Sequence, residues 1–392
     1  MRLIVEDLLT IGMDQLFVEL ENHPNIEIRA FNPWRGRGVG SRIAETIAEM
    51  ERLNIRMHDK LLIVEGVAAI FGGRNIGDHY FGLSEVYNFH DLDLLGIGVI
   101  ARQANGMFDD FWNSELVVSA QNLKLEPDPQ FAAAKWQEIQ SKNRTAEELA
   151  AFPREKKNWQ HELAALEPKL RIGKSLVAYD EPTNNEVRQH MIGKMLSFLD
   201  VAQQELLIVN AYLIPGPRSM KLLHRITDRG AKVRILTNSL ASRDVPAVNS
   251  HYEEWRDDLI DADIELYELR ADAAIRSLVE APPVRGEFVG LHTKSVVVDR
   301  RYVFIGSMNF DPRSSDINAE AGVFVDSPAL AADVAALMER DMQLENAWQV
   351  LLDDTGEPYW VNSDETVKTQ PARSGAQRVM NLIFKAFPKE YY

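Results

Sequence analysis

The sequence predicts an α/β fold of two similar halves, in which helices cover a mixed β-sheet and one site lies at the seam. A doubled motif is the first observation: segments 58–75 (HDKLLIVEGVAAIFGGRN) and 292–309 (HTKSVVVDRRYVFIGSMN) repeat His, Lys, an acidic residue, Gly and Asn at one spacing. The second observation is that helix-like and strand-like stretches alternate through residues 185–269. Such alternation is typical of a parallel or mixed sheet covered by helices.

Local patterns predict the elements in order. In the first half they predict strands over 1–7 and 26–32 and helices over 13–23 and 42–53. Residues 120–175 are dense in charge, Ala and Gln, which predicts helices that connect the halves. In the second half they predict helices over 185–202, 219–229 and 250–260, and strands over 205–213, 232–238 and 263–269.

These elements divide the chain into a first half (1–119), a helical connector (120–175), a second half (176–345) and a basic amphipathic tail (346–392). The second half places a helix, a strand and another helix before strand 232–238, whereas Met1 starts directly in the matching strand. We therefore expect the sequence to begin inside a domain, so that any signal peptide or membrane anchor would lie outside it.

Each copy of the motif predicts a β-hairpin, with two short apolar strands joined at an acidic turn residue, Glu65 or Asp299. The other polar residues shared by the copies are His58 and His292, Lys60 and Lys294, and Asn75 and Asn309.

Paired His, Lys and Asn residues suit chemistry at a phosphodiester. A neutral imidazole can attack phosphorus while a protonated imidazole on the far side gives its proton to the leaving alkoxide. Lys and Asn side chains can hold the non-bridging oxygens and stabilise the charge of the transition state. Two hairpins that face each other across a pseudo-two-fold axis supply both sides of this displacement without a metal ion or other cofactor.

The spacing His-x-Lys-x4-Asp-x6-Gly-Ser-x-Asn resembles the phospholipase D superfamily, and the second copy, with Ser307, matches it fully. GGRNIGDHYFG (72–82) and GSMNFDPRSSDINAE (306–320) are similar to the bacterial cardiolipin synthase branch, of the cardiolipin synthase C type. The first copy departs from the pattern at Glu65, where Asp is usual, and at Gly73, where Ser is usual. We expect the loss of that hydroxyl to leave the first half poorer in hydrogen-bond donors to the phosphate.

The resemblance implies two phospholipase D-like halves that form a phosphatidyltransferase. Such an enzyme makes cardiolipin from phosphatidylglycerol and a phosphatidyl donor, with phosphatidylethanolamine a candidate, through a phosphatidyl-histidine. We assign His58 as the nucleophile and His292 as the general acid and base, although the two roles could be exchanged. The resemblance assigns stabilisation of the phosphate to Lys60, Lys294, Asn75, Asn309 and Ser307, and a structural role to Glu65 and Asp299.

The resemblance also implies an acidic residue that orients each motif histidine. Asp93 in NFHDLDLLGIG and Glu320 in INAEAGVFV each lie two places after a polar residue and open an apolar strand. A carboxylate there accepts a hydrogen bond from the imidazole and fixes its tautomer. Glu320, 28 residues after His292, and Asp93, 35 residues after His58, are therefore predicted to orient these rings.

Other activities of the superfamily remain as alternatives. A hydrolase would form the same intermediate and release phosphatidic acid, because water would replace the acceptor alcohol. A nuclease, or a non-catalytic lipid-binding protein, is a further alternative. The formal charge of −16 argues against broad binding to nucleic acid, and the complete Lys and Asn set argues against loss of catalysis.

The composition adds further bounds. The 392 residues, 45% of them apolar, suffice for one large or two ordinary cores, and the absence of cysteine excludes disulfides and thiolate metal sites. No apolar run reaches the ~18 residues of a membrane-spanning helix. In residues 366–392, five basic residues against one acidic, with Val379, Leu382, Ile383 and Phe387 on one helical face, suit an anionic membrane surface. Packing of that helix on the protein itself is the alternative. Binding of the helix to the membrane surface predicts a peripheral protein of the bacterial cell membrane.

Overall fold

The first half of the chain contains short strands and helices, with four strands in succession between residues 61 and 97. The computed structural model describes residues 1–123, 128–147, 156–183 and 186–385. The elements of the first half are β1 (Arg2–Glu6), α1 (Asp14–Glu21), β2 (Glu27–Phe31), α2 (Val39–Ala48), α3 (Met50–Asn54), β3 (Leu61–Val64), β4 (Ala68–Gly72), β5 (Tyr87–His90), β6 (Asp93–Ile97), α4 (Val99–Trp112) and β7 (Val117–Ser119).

Two helices, α5 (Pro129–Thr145) and α6 (Lys156–Leu166), follow in the predicted connector. The later elements are β8 (Lys174–Tyr179), β9 (Glu181–Pro182), β10 (Val187–Arg188), α7 (Met191–Leu199), β11 (Glu205–Asn210), α8 (Gly216–Asp228), β12 (Lys232–Asn238), α9 (Pro246–Asp261), β13 (Ile264–Leu269), β14 (Phe288–Leu291), β15 (Lys294–Val298), β16 (Tyr302–Gly306), α10 (Pro312–Asp316), β17 (Ala321–Asp326), α11 (Pro328–Asp341), β18 (Ala347–Leu352), β19 (Pro358–Val361), β20 (Thr366–Val367) and α12 (Gly375–Phe384).

A ten-stranded sheet organises the second half, in the order β20-β19-β18-β13-β12-β11-β15-β16-β17-β8. Strands β11, β12 and β13 run parallel, and the other neighbours pair antiparallel. The central strand β15 is buried along its whole length, as expected for the apolar run SVVV covered on both faces. The predicted α/β class with a mixed sheet is therefore confirmed.

The first half repeats part of this sheet in two pieces, β1-β2-β7 and β3-β4-β6. No strand lies between β1 and β3 in the described chain, whereas β11 occupies the corresponding place between β12 and β15. The consequence is visible on the sheet face. Leu62 and Val64 are 57% and 52% exposed. Val296 and Val298, at the same positions of the second hairpin, are 1% and 0% exposed and belong to a buried apolar cluster.

Both motif hairpins close through left-handed backbone at the predicted acidic turns. Glu65 and Gly66 have φ of 52° and 65°, and Asp299 and Arg300 have φ of 49° and 52°. Two successive positive φ values are characteristic of the type I′ turn, whose twist matches that of the flanking strands. The Asp299 carboxylate also accepts the backbone N–H groups of residues 203–205 at 2.8–3.2 Å, which ties this turn to the start of β11.

The two halves share a core and exchange backbone hydrogen bonds. Phe71 and Met107 of the first half lie in one buried cluster with Leu291, Val297 and other apolar residues of the second half. Strand β5 pairs in parallel with β14, and an isolated parallel bridge joins Met57 to Ala319. These crossings bring the end of each half's motif hairpin next to the other half.

The predicted separate tail over 346–392 is wrong in its first part, because β18, β19 and β20 extend the second-half sheet. Helix α12 packs on α9 and on the loop between β12 and α9 through polar contacts: Asn381 donates to Glu253 of α9 at 2.8 Å, and Gln377 donates to the Leu240 carbonyl of the loop at 2.5 Å. Its apolar side faces outward, with Leu382 64% exposed. Phe387, Lys389 and Glu390 lie outside the described residues. None of the helices in the described ranges has the length and apolar character needed to cross a membrane.

Candidate active site

Each motif histidine is held by a carboxylate from the other half of the chain. Nδ1 of His58 lies 2.9 Å from both carboxylate oxygens of Glu320, and Nδ1 of His292 lies 2.8 Å from Oδ2 of Asp91. An ionised carboxylate can only accept, so beside it each imidazole carries its proton on Nδ1 and presents Nε2 as the reactive nitrogen.

Backbone pairing between the halves explains why each histidine contacts a carboxylate of the other half, an arrangement we call the exchange of carboxylates. The His58 N–H donates to the Ala319 carbonyl at 2.9 Å, and the His292 N–H donates to the His90 carbonyl at 2.8 Å. In both places the acidic residue comes directly after the carbonyl that the histidine contacts. One hydrogen bond of each crossing therefore sets the position of the carboxylate relative to the ring.

The prediction that Asp93 orients a motif histidine is wrong. Asp93 lies 2.6 Å from Nε of Arg74, and Asp91 takes the place beside His292. Strand register explains the error: β6 places Asp93 opposite Gly72, and β17 places Gly322 opposite Gly306. The residues two places before these partners are Asp91 and Glu320, so these two acids are equivalent. Glu320 does contact a motif histidine, but that of the other half rather than His292.

Ser307 serves Glu320 rather than the phosphate site. Its hydroxyl donates to Oε2 of Glu320 at 2.5 Å and accepts the Ala321 N–H at 3.0 Å, which corrects the predicted role of this residue. Gly73 is the matching residue of the first half. A Cβ there would lie 2.7 and 2.8 Å from the oxygens of Asp91, so glycine leaves the space that the Asp91 carboxylate occupies. The donor lost at Gly73 is therefore a donor to an acid, not to the substrate.

The two motif lysines make the same contact in each half. Lys60 donates from Nζ to the carbonyl of His58, and Lys294 donates to the carbonyl of His292. Burial disfavours both ammonium groups and lowers both pKa values, that of Lys60 to about 7. An anionic phosphate between them would favour the charged forms, because an opposite charge nearby reverses the effect of burial.

The motif asparagines have different neighbours. Asn75 donates from Nδ2 to the hydroxyl of Tyr80 at 2.8 Å. The backbone N–H of Asn309 donates to Ser314 Oγ at 3.3 Å, and its buried Oδ1 has no hydrogen-bond partner in the described part of the chain. The Asn309 amide is therefore available to a ligand.

The two histidines also differ in exposure. The side chain of His58 is 24% exposed and that of His292 is 6% exposed. Burial lowers the pKa of both rings, and the nearby ammonium groups of Lys294 and Lys60 lower that of His292 further. The hydroxyl of Tyr80 lies 3.4 Å from Nε2 of His292. His58 is thus the more accessible of two neutral imidazoles.

Sequence reasoning missed three residues of this site: Asp91, Tyr80 and Asp180. The carboxylate of Asp180, fully buried, accepts the Glu320 N–H at 3.0 Å and the N–H groups of His190 and Met191, at the start of α7, at 2.6 and 2.8 Å. Asp91 lies in the same HDLD stretch as Asp93, and Tyr80 lies five residues after Asn75. Glu65 and Asp299 stand at the opposite ends of the hairpins from the histidines, in keeping with a structural role.

Comparisons with known proteins agree on one family. The family model described as "Cardiolipin synthase, PLD-like domain" matches residues 195–342. Cardiolipin synthase C of Escherichia coli (strain K12) is 32% identical over 404 residues, covering 100% of this chain and 84% of that protein. An uncharacterized protein of Helicobacter pylori (strain ATCC 700392 / 26695) is 30% identical over 391 residues, covering 96% of this chain and 76% of that protein.

A solved structure supports the fold. Phosphatidylserine synthase of Haemophilus influenzae Rd KW20 superposes with a TM-score of 0.55 at 14% identity, covering 89% of this chain and 74% of that chain. Full-length similarity to the Escherichia coli protein, the matching family model and this shared fold lead to one conclusion: the chain belongs to the cardiolipin synthase family of phospholipase D-like enzymes.

Proposed function

We propose that this protein transfers a phosphatidyl group from a phospholipid donor to phosphatidylglycerol and so makes cardiolipin. The observation that supports the proposal most is the exchange of carboxylates, which aligns one imidazole from each half through the other half. Together with a matched lysine beside each ring, this arrangement suits two opposed sides of one phosphorus atom. We infer a pseudo-two-fold axis through that point, relating the halves.

In the first step, Nε2 of neutral His58 attacks the phosphorus of the donor. A nitrogen–phosphorus bond forms and the bond from phosphorus to the departing alcohol breaks, while that alcohol takes a proton from Nε2 of His292. The incoming phosphodiester is anionic and raises the pKa of a nearby imidazole, so its binding favours the protonated His292 that this step requires. The product is a phosphatidyl group on His58 and a free alcohol.

In the second step, a hydroxyl of phosphatidylglycerol attacks the phosphatidyl-histidine. His292, now neutral, takes the hydroxyl proton, an oxygen–phosphorus bond forms, and the nitrogen–phosphorus bond to His58 breaks. Lys60, Lys294, Asn75 and Asn309 would hold the non-bridging oxygens in both steps. Asp91 and Glu320 keep the two rings in the required tautomer.

The assignment of His58 as the nucleophile rests on the difference between the rings. A nucleophile must reach the phosphorus of a bulky lipid, and His58 has the larger exposed fraction, 24% against 6%. His292 has a hydroxyl beside Nε2, which suits a group that exchanges protons with an alcohol.

Hydrolysis is the alternative that differs only in the acceptor. The direct test supplies the purified protein with vesicles of phosphatidylglycerol, which can act as both donor and acceptor, and measures the lipid products by mass spectrometry. Cardiolipin with release of glycerol supports the transferase; phosphatidic acid with no cardiolipin supports the hydrolase. His58→Ala and His292→Ala proteins control for contaminating activity.

We place the protein at the surface of the bacterial cell membrane. Its substrates are lipids, and α12 turns Val379, Leu382 and Ile383 outward, each more than half exposed. An apolar helix face of this kind inserts into the boundary between headgroups and acyl chains. A nuclease is disfavoured by the charge of −16, which opposes non-specific binding to nucleic acid.

A further inference from the structure

The hydroxyl of Tyr80 joins two residues of the doubled motif. It lies 3.4 Å from Nε2 of His292, and Asn75 donates to its oxygen at 2.8 Å. Nδ1 of His292 donates to Asp91, and Lys294, whose Nζ is 3.1 Å from that nitrogen, also donates to the His292 carbonyl. Nε2 of the neutral ring is therefore an acceptor, and the O–H of Tyr80 is the donor that faces it.

Tyr80 is held in place on several sides. Its side chain packs against His79 and Phe89 at ring-centroid distances of 4.9 and 4.8 Å, and it meets His292 edge to face at 5.0 Å and 86°. The residue is 8% exposed, and its carbonyl accepts a hydrogen bond from Arg74. The hydroxyl thus stands at a fixed point between His292 and Asn75, two residues that the proposed function places around the phosphate.

The second half has no tyrosine at the equivalent place. Five residues after Asn309 stands Ser314, whose Oγ accepts the backbone N–H of Asn309 at 3.3 Å. The phenol therefore accompanies only one of the two motif histidines, the one whose proposed task is proton transfer.

We propose that Tyr80 is a further catalytic residue, which relays the proton between His292 and the substrate alcohols. The inference rests on the proposed function, in which His292 exchanges that proton. When phosphatidylglycerol attacks, its O–H bond breaks and the proton bonds to Oη of Tyr80, while the proton of Tyr80 bonds to Nε2 of His292. The reverse shift delivers a proton to the departing alcohol in the first step, and Tyr80 is neutral before and after each transfer.

The test compares Tyr80→Phe, which keeps the packed ring, with Tyr87→Phe. Tyr87 packs against the same His79 and Phe89 rings at centroid distances of 5.2 and 5.1 Å, so its variant removes a hydroxyl from the same aromatic cluster. The donor is a phosphatidyl ester of 4-nitrophenol, whose leaving group needs no proton. The burst of nitrophenolate should survive in both variants, because attack by His58 does not use the relay. Transfer to phosphatidylglycerol should fall about 10²-fold in Tyr80→Phe, the lower end for a lost acid–base group, and stay unchanged in Tyr87→Phe. Equal transfer by the two variants would overturn the relay.

A second readout needs no lipid and so separates failure of the relay from failure of the proposed function. Nuclear magnetic resonance of labelled histidines reports the pKa of His292, with its signal assigned by loss in His292→Gln. Tyr80→Phe removes the hydroxyl that donates to the neutral ring, so the pKa of His292 should rise by about 0.7 unit. That shift corresponds to the net free energy of one ordinary hydrogen bond, about 1 kcal/mol. The titratable groups around His292, namely Asp91, Lys60, Lys294, Arg74 and His58, are the same in the unsubstituted and Tyr80→Phe proteins. An unchanged pKa would overturn the proposed hydrogen bond whether or not the protein acts on lipids.

Discussion

At the scale of single residues, Asp91 and Asp93 stand two positions apart and contact different groups. Asp91 fixes the His292 ring, whereas Asp93 pairs with Arg74 at 2.6 Å in a partly exposed position. An amide in place of the Asp91 carboxylate can present N–H to Nδ1 and favour the wrong tautomer. We expect Asp91→Asn to lower lipid transfer by about 10²–10⁴-fold, the range of a lost acid–base group.

Asp93→Asn is the matched control. It removes an ion pair whose side chains are 29% and 24% exposed and which contacts neither motif histidine, so transfer should stay within a few-fold of the unsubstituted protein. Initial rates for the two variants under one condition decide the matter. Greater loss in Asp93→Asn than in Asp91→Asn would contradict the exchange of carboxylates between the halves.

The pKa of Lys60 leads us to predict the alkaline limb of the pH profile of kcat/KM. Burial lowers its pKa to about 7, so the free enzyme loses this positive charge as the pH rises through neutrality. Because kcat/KM reports the free enzyme, kcat/KM for the donor should fall above about pH 7. The Lys60→Arg protein keeps its charge, and its alkaline limb should move to higher pH even where its maximum is lower. A limb at the same pH in both proteins would show that another group titrates.

At the scale of elements, α12 is apolar and exposed on its outward side. Its polar residues Gln377 and Asn381 make the contacts to the protein, and Leu382 and Ile383 are 64% and 51% exposed. We expect Leu382→Asp with Ile383→Asp to weaken sedimentation with anionic phospholipid vesicles at least about tenfold, since both side chains would lose apolar burial. The thermal midpoint should change little.

The control places two aspartates at Ile172 and Leu163, which are 97% and 61% exposed and lie outside α12. That variant adds negative charge without touching the proposed membrane face, so its binding should match the unsubstituted protein. Equal weakening in both variants would mean that net charge, rather than the apolar face of α12, governs binding.

The hairpins illustrate how much of this fold and site the sequence can predict. Apolar runs on either side of an acidic turn predicted β3 with β4 and β15 with β16, because the pattern is local. The partners of His58 and His292 could not be predicted in the same way, since Glu320 and Asp91 lie 262 and 201 residues away. Which acid contacts each histidine depends on strand register across the sheet. The sequence does not show that register, and the prediction therefore placed Asp93 at the position that Asp91 occupies, two residues earlier.

Helix α12 shows the same limit. Its sequence predicted an amphipathic helix, and the helix is present over Gly375–Phe384. Which side packs inward depends on what α9 presents, and Glu253 and Asn249 select the polar side. The strands before it join the sheet through β18, whose partner β13 lies far away in sequence, and a local pattern does not reveal that pairing.

At the scale of the whole molecule, the two halves share one buried core as well as one candidate site. One buried cluster contains Phe71 and Met107 of the first half together with Leu291 and Val297 of the second. We expect one cooperative unfolding transition, with hydrogen exchange in β4 and β16 responding together. Leu291→Ala should lower the free energy of unfolding by about 2–5 kcal/mol. Protection from hydrogen exchange should fall by the same amount in β4 and in β16. Calorimetry showing two separate transitions would contradict a shared core.

The candidate site also needs both halves, because each motif histidine is oriented by an acid of the other half. The first half supplies His58 and the acid for His292, and the second half supplies the converse. The central claim is therefore that His58, aligned by the second half, takes the phosphatidyl group.

Peptide mass spectrometry of a His292→Ala protein tests this claim most directly. With the 4-nitrophenol donor, the first step needs no general acid, whereas the second step lacks its base, so the intermediate should accumulate. We predict a phosphatidyl group on the peptide that contains His58, and none in the His58→Ala, His292→Ala double variant. A phosphatidyl group that persists in the double variant, or no adduct despite release of nitrophenol, would contradict the assignment of His58 as the nucleophile.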